Sequence, residues 1–219
     1  MDYKIKDMFD SYVSGYEKLL SCYYPAHGST GFMEVNQVVQ FCKALQEYDP
    51  DCFYWLEAPL PRVGNSSPRI DGVVFAPTLE AVFYIEAKRI DNPNEKYDQI
   101  VQDVTRLLKD ENRQHIRQNL KDSNVYLNEY LVVLADVWLE TGPKKGTPFW
   151  WTENDFPIGL NGKESKKYRN TKTFKESISG VVDWDVERNF IHNFTEEGIE
   201  NYCLMLGSYQ IRSFQGGNE

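Results

Sequence analysis

The sequence RIDGVVFAPTLEAVFYIEAKR, residues 69–89, decides the fold. It holds two apolar runs, residues 69–76 and 81–89, which are rich in Val, Ile, Phe and Tyr, as strands are. The intervening residues 77–80, PTLE, are typical of a turn. The stretch therefore predicts a β-hairpin.

Three charged side chains lie within this hairpin. Side chains alternate between the two faces of a strand, so Glu86 and Lys88 point the same way, one pleat apart, and the hairpin brings Asp71 beside them. Placing two carboxylates and an ammonium on one face of a sheet costs desolvation free energy, so a bound ion or a reaction that requires these groups would explain their presence. A divalent cation held by the carboxylates, with the lysine next to an attacking water, would use all three.

The sequence around the hairpin predicts helices and two more strands. Apolar residues recur at helical spacing before and after it. We predict helices at residues 3–23, 32–47, 94–109 (with a continuation towards 120) and 195–206, and further strands at 52–58 and 129–138. This order predicts an α/β fold in which helices flank a central mixed sheet. We expect one domain, residues 1–219, with a core at about 32–138 and a C-terminal extension, 139–219, that packs on it.

The composition is that of a protein with a substantial core. Of the 219 residues, 41% are hydrophobic and 14% aromatic, and no apolar run is long enough to span a membrane. The N-terminus lacks the apolar segment of a signal peptide. We therefore expect no membrane association and a cytoplasmic location. The cysteines and histidines lack zinc-ligand spacing, which favours reduced and mostly buried thiols.

The charge distribution points to a local contact with nucleic acid. A formal net charge of −9 argues against coating nucleic acid by bulk electrostatics, but not against a nuclease with a concentrated basic surface. Residues 163–175 carry basic side chains against one acid, Glu164, with Tyr168 and Phe174 interleaved, as a phosphate-contacting and base-stacking surface would be. A solvated loop is the alternative interpretation. The residues expected to bind nucleic acid are Lys163, Lys166, Lys167, Arg169 and Lys172.

The element order and the charged residues together resemble the PD-(D/E)xK, or restriction-endonuclease-like, nuclease superfamily. The shared pattern is an acid on a helix, here Glu34, an acid on a strand, here Asp71, and Glu86-Ala87-Lys88 on the next strand. The resemblance covers about half of the chain. It implies an αβββαβ core with a central mixed sheet. It also implies hydrolysis of phosphodiester bonds, as an endo- or exodeoxyribonuclease that uses Mg²⁺ with Mn²⁺ as a substitute, and it favours DNA over RNA.

The resemblance also implies a role for each of these residues. Asp71 and Glu86 would be metal ligands, and the carbonyl oxygen of Ala87 would supply another oxygen. Lys88 would orient the attacking water or help to deprotonate it. Glu34 would touch the metal directly or through water.

Two further residues are weaker candidates for support of the site. Gln99 resembles a helix glutamine that follows the catalytic strand in some members, although the usual tyrosine four residues on is Asp103 here. Glu57 would help to bind metal or to position Lys88, with a structural use as the alternative. Without metal, we expect the pKa values of the clustered acids to rise, and partial burial to lower the pKa of Lys88.

Other interpretations of the same residues stay open. Glu34 alone would suit the positive end of its helix, and Glu86 with Lys88 would suit an exposed edge strand. The main functional alternative is a non-catalytic nucleic-acid-binding or interaction protein that retains the fold. A phosphatase or nucleotide hydrolase ranks last, because no phosphate-cradling glycine motif is present. A homodimer would suit a double-strand cutter, but no residue indicates one.

Overall fold

A single mixed sheet organises the computed structural model, which describes residues 3–22, 33–91, 93–118, 120, 128–139, 142–152, 174–175, 184–191 and 202–212. The strands are β1 (Phe53–Pro59), β2 (Arg69–Ala76), β3 (Ala81–Arg89), β4 (Asn128–Trp138), β5 (Asp185–Ile191) and β6 (Tyr202–Arg212). They lie in the spatial order β1-β2-β3-β4-β6-β5. Strands β3 and β4 pair in parallel and the other neighbours pair antiparallel. The predicted mixed sheet is confirmed.

Helices cover both faces of the sheet. They are α1 (Tyr3–Cys22), α2 (Glu34–Gln46), α3 (Pro93–Leu108), α4 (Asp110–Arg117), α5 (Gly142–Lys145) and α6 (Thr147–Thr152). Apolar side chains of α1 and α2 form a core with one face, and those of α3, α4 and α6 form a second core with the other. Strand β4 is buried at every residue except its two ends, as its continuous apolar run predicted.

The hairpin forms where its sequence predicts. Strands β2 and β3 have the expected bounds, and the amide of Glu80 donates to the carbonyl of Pro77 at 3.1 Å to close the turn. Helical structure does continue towards residue 120, but as a separate helix, α4, rather than as an extension of α3. Lys109 has an extended backbone (φ −70°, ψ 120°), which separates α3 from α4.

The predicted helix at residues 195–206 is wrong where the structure describes it. Residues 202–206 belong to β6, which pairs with β4, for example Leu206 with Leu134. A short run of consecutive apolar residues suits a buried helix or a buried strand equally well, and here pairing with the open edge of β4 decides in favour of the strand. Residues 195–201 lie outside the described residues.

Two further expectations can be compared with the structure. All four cysteines are free thiols, and three of them, Cys42, Cys52 and Cys203, are buried, as predicted. None of the described helices combines the length and the apolar character that a membrane crossing requires.

Gly72 on β2 allows α2 to approach the sheet closely. A Cβ atom at Gly72 would lie 2.4 Å from Cγ1 of Val38, on α2. We expect Gly72→Ala to lower the free energy of unfolding by about 1–3 kcal/mol, because an added methyl group forces packed neighbours apart. Val38→Ala in the same protein should recover part of this loss. Urea unfolding of both single variants and the double variant measures the coupling, and strictly additive losses would contradict the close approach.

Candidate functional site

Lys88 lies at the centre of a cluster of acids on the α3 face of the sheet. Its Nζ is 3.6 Å from Oδ2 of Asp71, 3.4 Å from Oε2 of Glu86 and 3.0 Å from Oδ2 of Asp103. Lys88 is 8% exposed and Glu86 is 2% exposed, so most of this charge is shielded from water. The sequence-based prediction that Asp71, Glu86 and Lys88 come together is confirmed as a matter of geometry.

The hairpin register accounts for this convergence. Gly72 pairs with Ile85, so Asp71 and Glu86 occupy the next positions of the two strands. The backbone amide of Ala87 donates to Oδ2 of Asp71 at 2.7 Å, which fixes the carboxylate towards β3. Oδ1 of Asp71 has no hydrogen bond or ion pair to any described residue. The assignment of the Ala87 carbonyl as a metal ligand stays a prediction.

Helix α3 adds two residues that the sequence-based analysis did not assign to the site. Asp103 contacts Lys88, and Nη2 of Arg106 lies 2.9 Å from Oδ1 of Asp103 and 3.0 Å from Oε1 of Glu86. A signal was present in the sequence. Asp103 shares a helical face with Ile100 and Val104, which are buried apolar residues, and a charged residue on such a face needs a partner inside.

Glu34 is the first residue of α2, and its carboxylate lies at the end of β3. Its Oε1 accepts the backbone amide of Arg89 at 3.1 Å and lies 3.9 Å from Nζ of Lys96. Its side chain is 36% exposed. The carboxylate is near enough to help raise the pKa of Lys88, although among the described residues it forms no hydrogen bond or ion pair with that side chain.

The supporting candidates from the sequence are not part of this cluster. Glu57 is exposed on β1 and has a left-handed backbone conformation, with φ of 53°. Gln99 is exposed on α3. Neither side chain forms a hydrogen bond or an ion pair within the described ranges. The basic residues of the predicted nucleic-acid-binding segment all lie outside the described residues: Lys163, Lys166, Lys167, Arg169 and Lys172. The expectation that Phe174 belongs to a base-stacking surface is wrong, because its ring is fully buried and stacks on Trp151 in the core.

The cluster shifts two pKa values upwards. Burial raises the pKa of Glu86 well above its ordinary range, and the neighbouring Asp71 carboxylate raises it further, as expected for clustered acids. Burial acts to lower the pKa of Lys88, but the carboxylates of Glu86, Asp71 and Asp103 outweigh it and raise this pKa above its ordinary range. The predicted lowering of the pKa of Lys88 is therefore wrong. The lysine is protonated in the metal-free protein.

A second polar group supports Lys88 from the opposite face of the sheet. The side-chain amide of Gln37, on α2, donates to the backbone carbonyl of Lys88 at 3.3 Å and to Oδ1 of Asp136 at 2.7 Å. Oδ2 of Asp136 accepts the Tyr202 hydroxyl at 2.7 Å and contacts the Arg89 guanidinium at 3.3 Å. This network joins α2, β3, β4 and β6 directly behind the cluster.

The buried Asp136 predicts a pH-dependent stability. Burial raises the pKa of Asp136 from 3.8 to about 6, against the opposing effect of Arg89. Because the folded protein binds this proton more tightly than the unfolded chain does, the stability it contributes is complete below about pH 4 and lost as the pH rises through about 6. Between those limits, the free energy of unfolding of the wild type should fall by up to about 3 kcal/mol relative to that of Asp136→Asn. Urea unfolding across this range measures the difference, and parallel pH profiles would contradict it.

The donor atoms of Asp71 and Glu86 are of the type that a hard divalent cation prefers. Asp71 and Glu86 both contact the same ammonium, so their carboxylates converge, and the contacts of Asp71 with Lys88 and with the amide of Ala87 both use Oδ2. Magnesium in proteins is usually held by one or two carboxylates and keeps several waters. Among the residues that the structure describes, no group of three or more His, Cys, Asp and Glu side chains is arranged to hold a metal ion.

Comparison with known proteins adds no family assignment. No protein-family model matches the chain, and neither a curated protein nor a solved structure matches it.

Proposed function

We propose that this protein is a metal-dependent nuclease with a restriction-endonuclease-like αβββαβ core, which hydrolyses phosphodiester bonds in DNA. The observation that carries the proposal is the contact of one buried lysine, Lys88, with both Asp71 and Glu86, at 3.6 and 3.4 Å. The element order supports it, since α2 precedes the three strands β1 to β3, and α3 and β4 follow them. Mg²⁺ is the proposed cofactor, with Mn²⁺ as a substitute.

Asp71 and Glu86 would hold the cation between them, with the carbonyl oxygen of Ala87 as a third protein ligand. When bound, such a cation neutralises charge that develops on the phosphate and makes water a better nucleophile near neutral pH. Glu34 would act at the edge of the site. Its carboxylate holds the amide of Arg89, one residue beyond Lys88, and so keeps the end of β3 in place.

Lys88 would act as a proton donor and an electrostatic anchor rather than as a base in the resting protein. Three carboxylates keep its ammonium protonated. With a cation held by Asp71 and Glu86, the negative charge of these carboxylates would favour the ammonium less strongly, and the pKa of Lys88 would fall. The ammonium would then orient the attacking water and donate a proton from Nζ, and the neutral amine that remains would be able to take a proton back.

The basic segment at residues 163–172 is the proposed contact with the DNA backbone. Its charges would supply the local attraction that a protein of net charge −9 lacks overall. A cytoplasmic location suits a chain whose cysteines are all free thiols.

One observation favours a second candidate function, a non-catalytic nucleic-acid-binding or interaction protein. Arg106 and Asp103 complete an ion-pair network in which Glu86 and Lys88 already have partners without a metal. A purely structural role for these residues would require only this ion-pair network and no bound metal. The intact Glu86 and Lys88 pair weighs against it, because buried charges are expensive to retain for packing alone.

Nuclease assays with the wild-type chain separate the two functions. The substrates are supercoiled plasmid, labelled single-stranded and double-stranded DNA, and labelled RNA, each with Mg²⁺, with Mn²⁺ and with EDTA. We expect cleavage of DNA that depends on the metal and stops with EDTA. No cleavage of any substrate, together with no heat of Mg²⁺ binding by calorimetry, would overturn the nuclease proposal in favour of the binding protein.

A further inference from the structure

Arg106 contacts a carboxylate oxygen of Glu86 that would otherwise be free to bind a metal ion. Nη2 of Arg106 lies 3.0 Å from Oε1 of Glu86, and Nζ of Lys88 lies 3.4 Å from Oε2. Both oxygens of this carboxylate therefore face a cation of the protein itself. Because Glu86 is only 2% exposed, an incoming cation gains access to these oxygens by replacing one of the two partners.

Asp103 holds Arg106 independently of Glu86. The two residues lie three positions apart on α3, and Nη2 of Arg106 is 2.9 Å from Oδ1 of Asp103. The arginine side chain is 30% exposed, against 3% for the side chain of Glu86, so its guanidinium lies at the solvent side of the cluster. When Glu86 releases it, this pair keeps the guanidinium beside the site.

The guanidinium also has donors to spare. Its Nε is buried and has no hydrogen-bond partner in the described part of the chain, which is unusual for a buried donor. The known contacts of Arg106 with Glu86, Asp103 and the carbonyl of Arg69 all use Nη2. Because Nε is closed to solvent, a phosphate would meet Nη1, which none of these contacts uses, and Nη2 once Glu86 has released it. Such a planar fork of N–H donors matches phosphate oxygens better than a lysine does.

We propose that Arg106 has two successive roles, both of which rest on the proposed nuclease function. In the metal-free protein it balances the charge of Glu86 and competes with the cation for that carboxylate. Once Glu86 turns to the cation, the guanidinium, still paired with Asp103, donates N–H groups to a non-bridging oxygen of the scissile phosphate. Arg106 is thus a catalytic residue on α3, outside the motif that β2 and β3 carry.

Metal binding and cleavage should respond to Arg106 in opposite directions. Arg106→Met should bind Mg²⁺ about tenfold more tightly in the absence of nucleic acid, because a charge-assisted competitor is lost. At saturating Mg²⁺, its single-turnover cleavage of duplex DNA should slow on the order of 100-fold. Arg106→Lys should lie between the wild type and Arg106→Met in its Mg²⁺ affinity and in its cleavage rate. Calorimetry is run at one pH and one ionic strength for every variant, so that the affinities differ only through the substitution.

Lys18→Met is the matched control, because Lys18 is an exposed cation on α1, at the opposite face of the sheet. Its Mg²⁺ affinity and its cleavage rate should equal those of the wild type. Metal affinity of Arg106→Met that is equal to or weaker than wild type would overturn the competition for Glu86, and undiminished cleavage at saturating Mg²⁺ would overturn the phosphate contact. If the wild type binds Mg²⁺ but cuts nothing, the nuclease function and the phosphate contact fail together, whereas tighter binding by Arg106→Met would still uphold the competition.

Discussion

Lys88→Met is expected to slow DNA cleavage by at least about 100-fold at saturating Mg²⁺, the contribution typical of a positioned proton-transfer group. The substitution removes the ammonium whose Nζ lies within 3.6 Å of Asp71, Glu86 and Asp103, and it keeps a side chain of similar length. Single-turnover cleavage of a labelled duplex measures the rate. A parallel preparation of Lys18→Met, which should retain wild-type cleavage, controls for contaminating nucleases.

The stability of Lys88→Met distinguishes lost chemistry from lost folding. Without the ammonium, the Glu86 carboxylate keeps its burial but loses one partner, a change that costs about 3–5 kcal/mol for buried ion pairs. A divalent cation would restore the missing positive charge. Thermal unfolding should therefore show a larger gain from Mg²⁺ in Lys88→Met than in the wild type. Wild-type cleavage by the folded variant would contradict the role of Lys88.

Asp71→Asn is expected to weaken Mg²⁺ binding by at least about 100-fold, since even residues that only support a metal ligand are worth 10–100-fold. Asparagine keeps an oxygen that can accept the amide of Ala87, a bond of 2.7 Å in the wild type, so the charge is lost while the local structure is kept. Calorimetry measures the affinity. Asp10→Asn, on the exposed side of α1, removes a carboxylate far from the cluster and should bind as the wild type does.

Unchanged affinity in Asp71→Asn would contradict its assignment as a ligand. Cleavage should fall in parallel, because a cation that is not held at the cluster cannot act on the phosphate. A variant that loses affinity and keeps wild-type cleavage at saturating Mg²⁺ would place the hydrolytic site elsewhere on the chain.

The hairpin and its three charges could be predicted because local rules determine them. Alternation along β3 places Glu86 and Lys88 on one face, and the short turn at Pro77–Glu80 sets the register that brings Asp71 alongside. The C-terminal part of the sheet could not be predicted in this way. Residues 202–206 form a strand because β4 offers an edge to pair with, and this partner lies far away in the sequence.

The partners of the cluster were missed for a similar reason. Gln37 and Asp136 are 99 residues apart and meet only once α2 has packed behind β3 and β4. Arg106 pairs with Glu86 across 20 residues, through the packing of α3 on the sheet. Helical spacing marks Asp103 as an inward-facing charge, but it does not specify which buried group it meets. The pKa of Lys88 was predicted in the wrong direction because burial was considered without the three carboxylates that surround it.

The most direct test of the proposed metal site is a crystal structure of the wild-type protein with Mn²⁺, located by its anomalous scattering. We predict one peak in contact with carboxylate oxygens of both Asp71 and Glu86, with the Arg106 guanidinium moved off Oε1 of Glu86. The contradicting result is no peak at these two carboxylates, with Lys88 and Arg106 still paired to Glu86 at the metal-free distances of 3.4 and 3.0 Å.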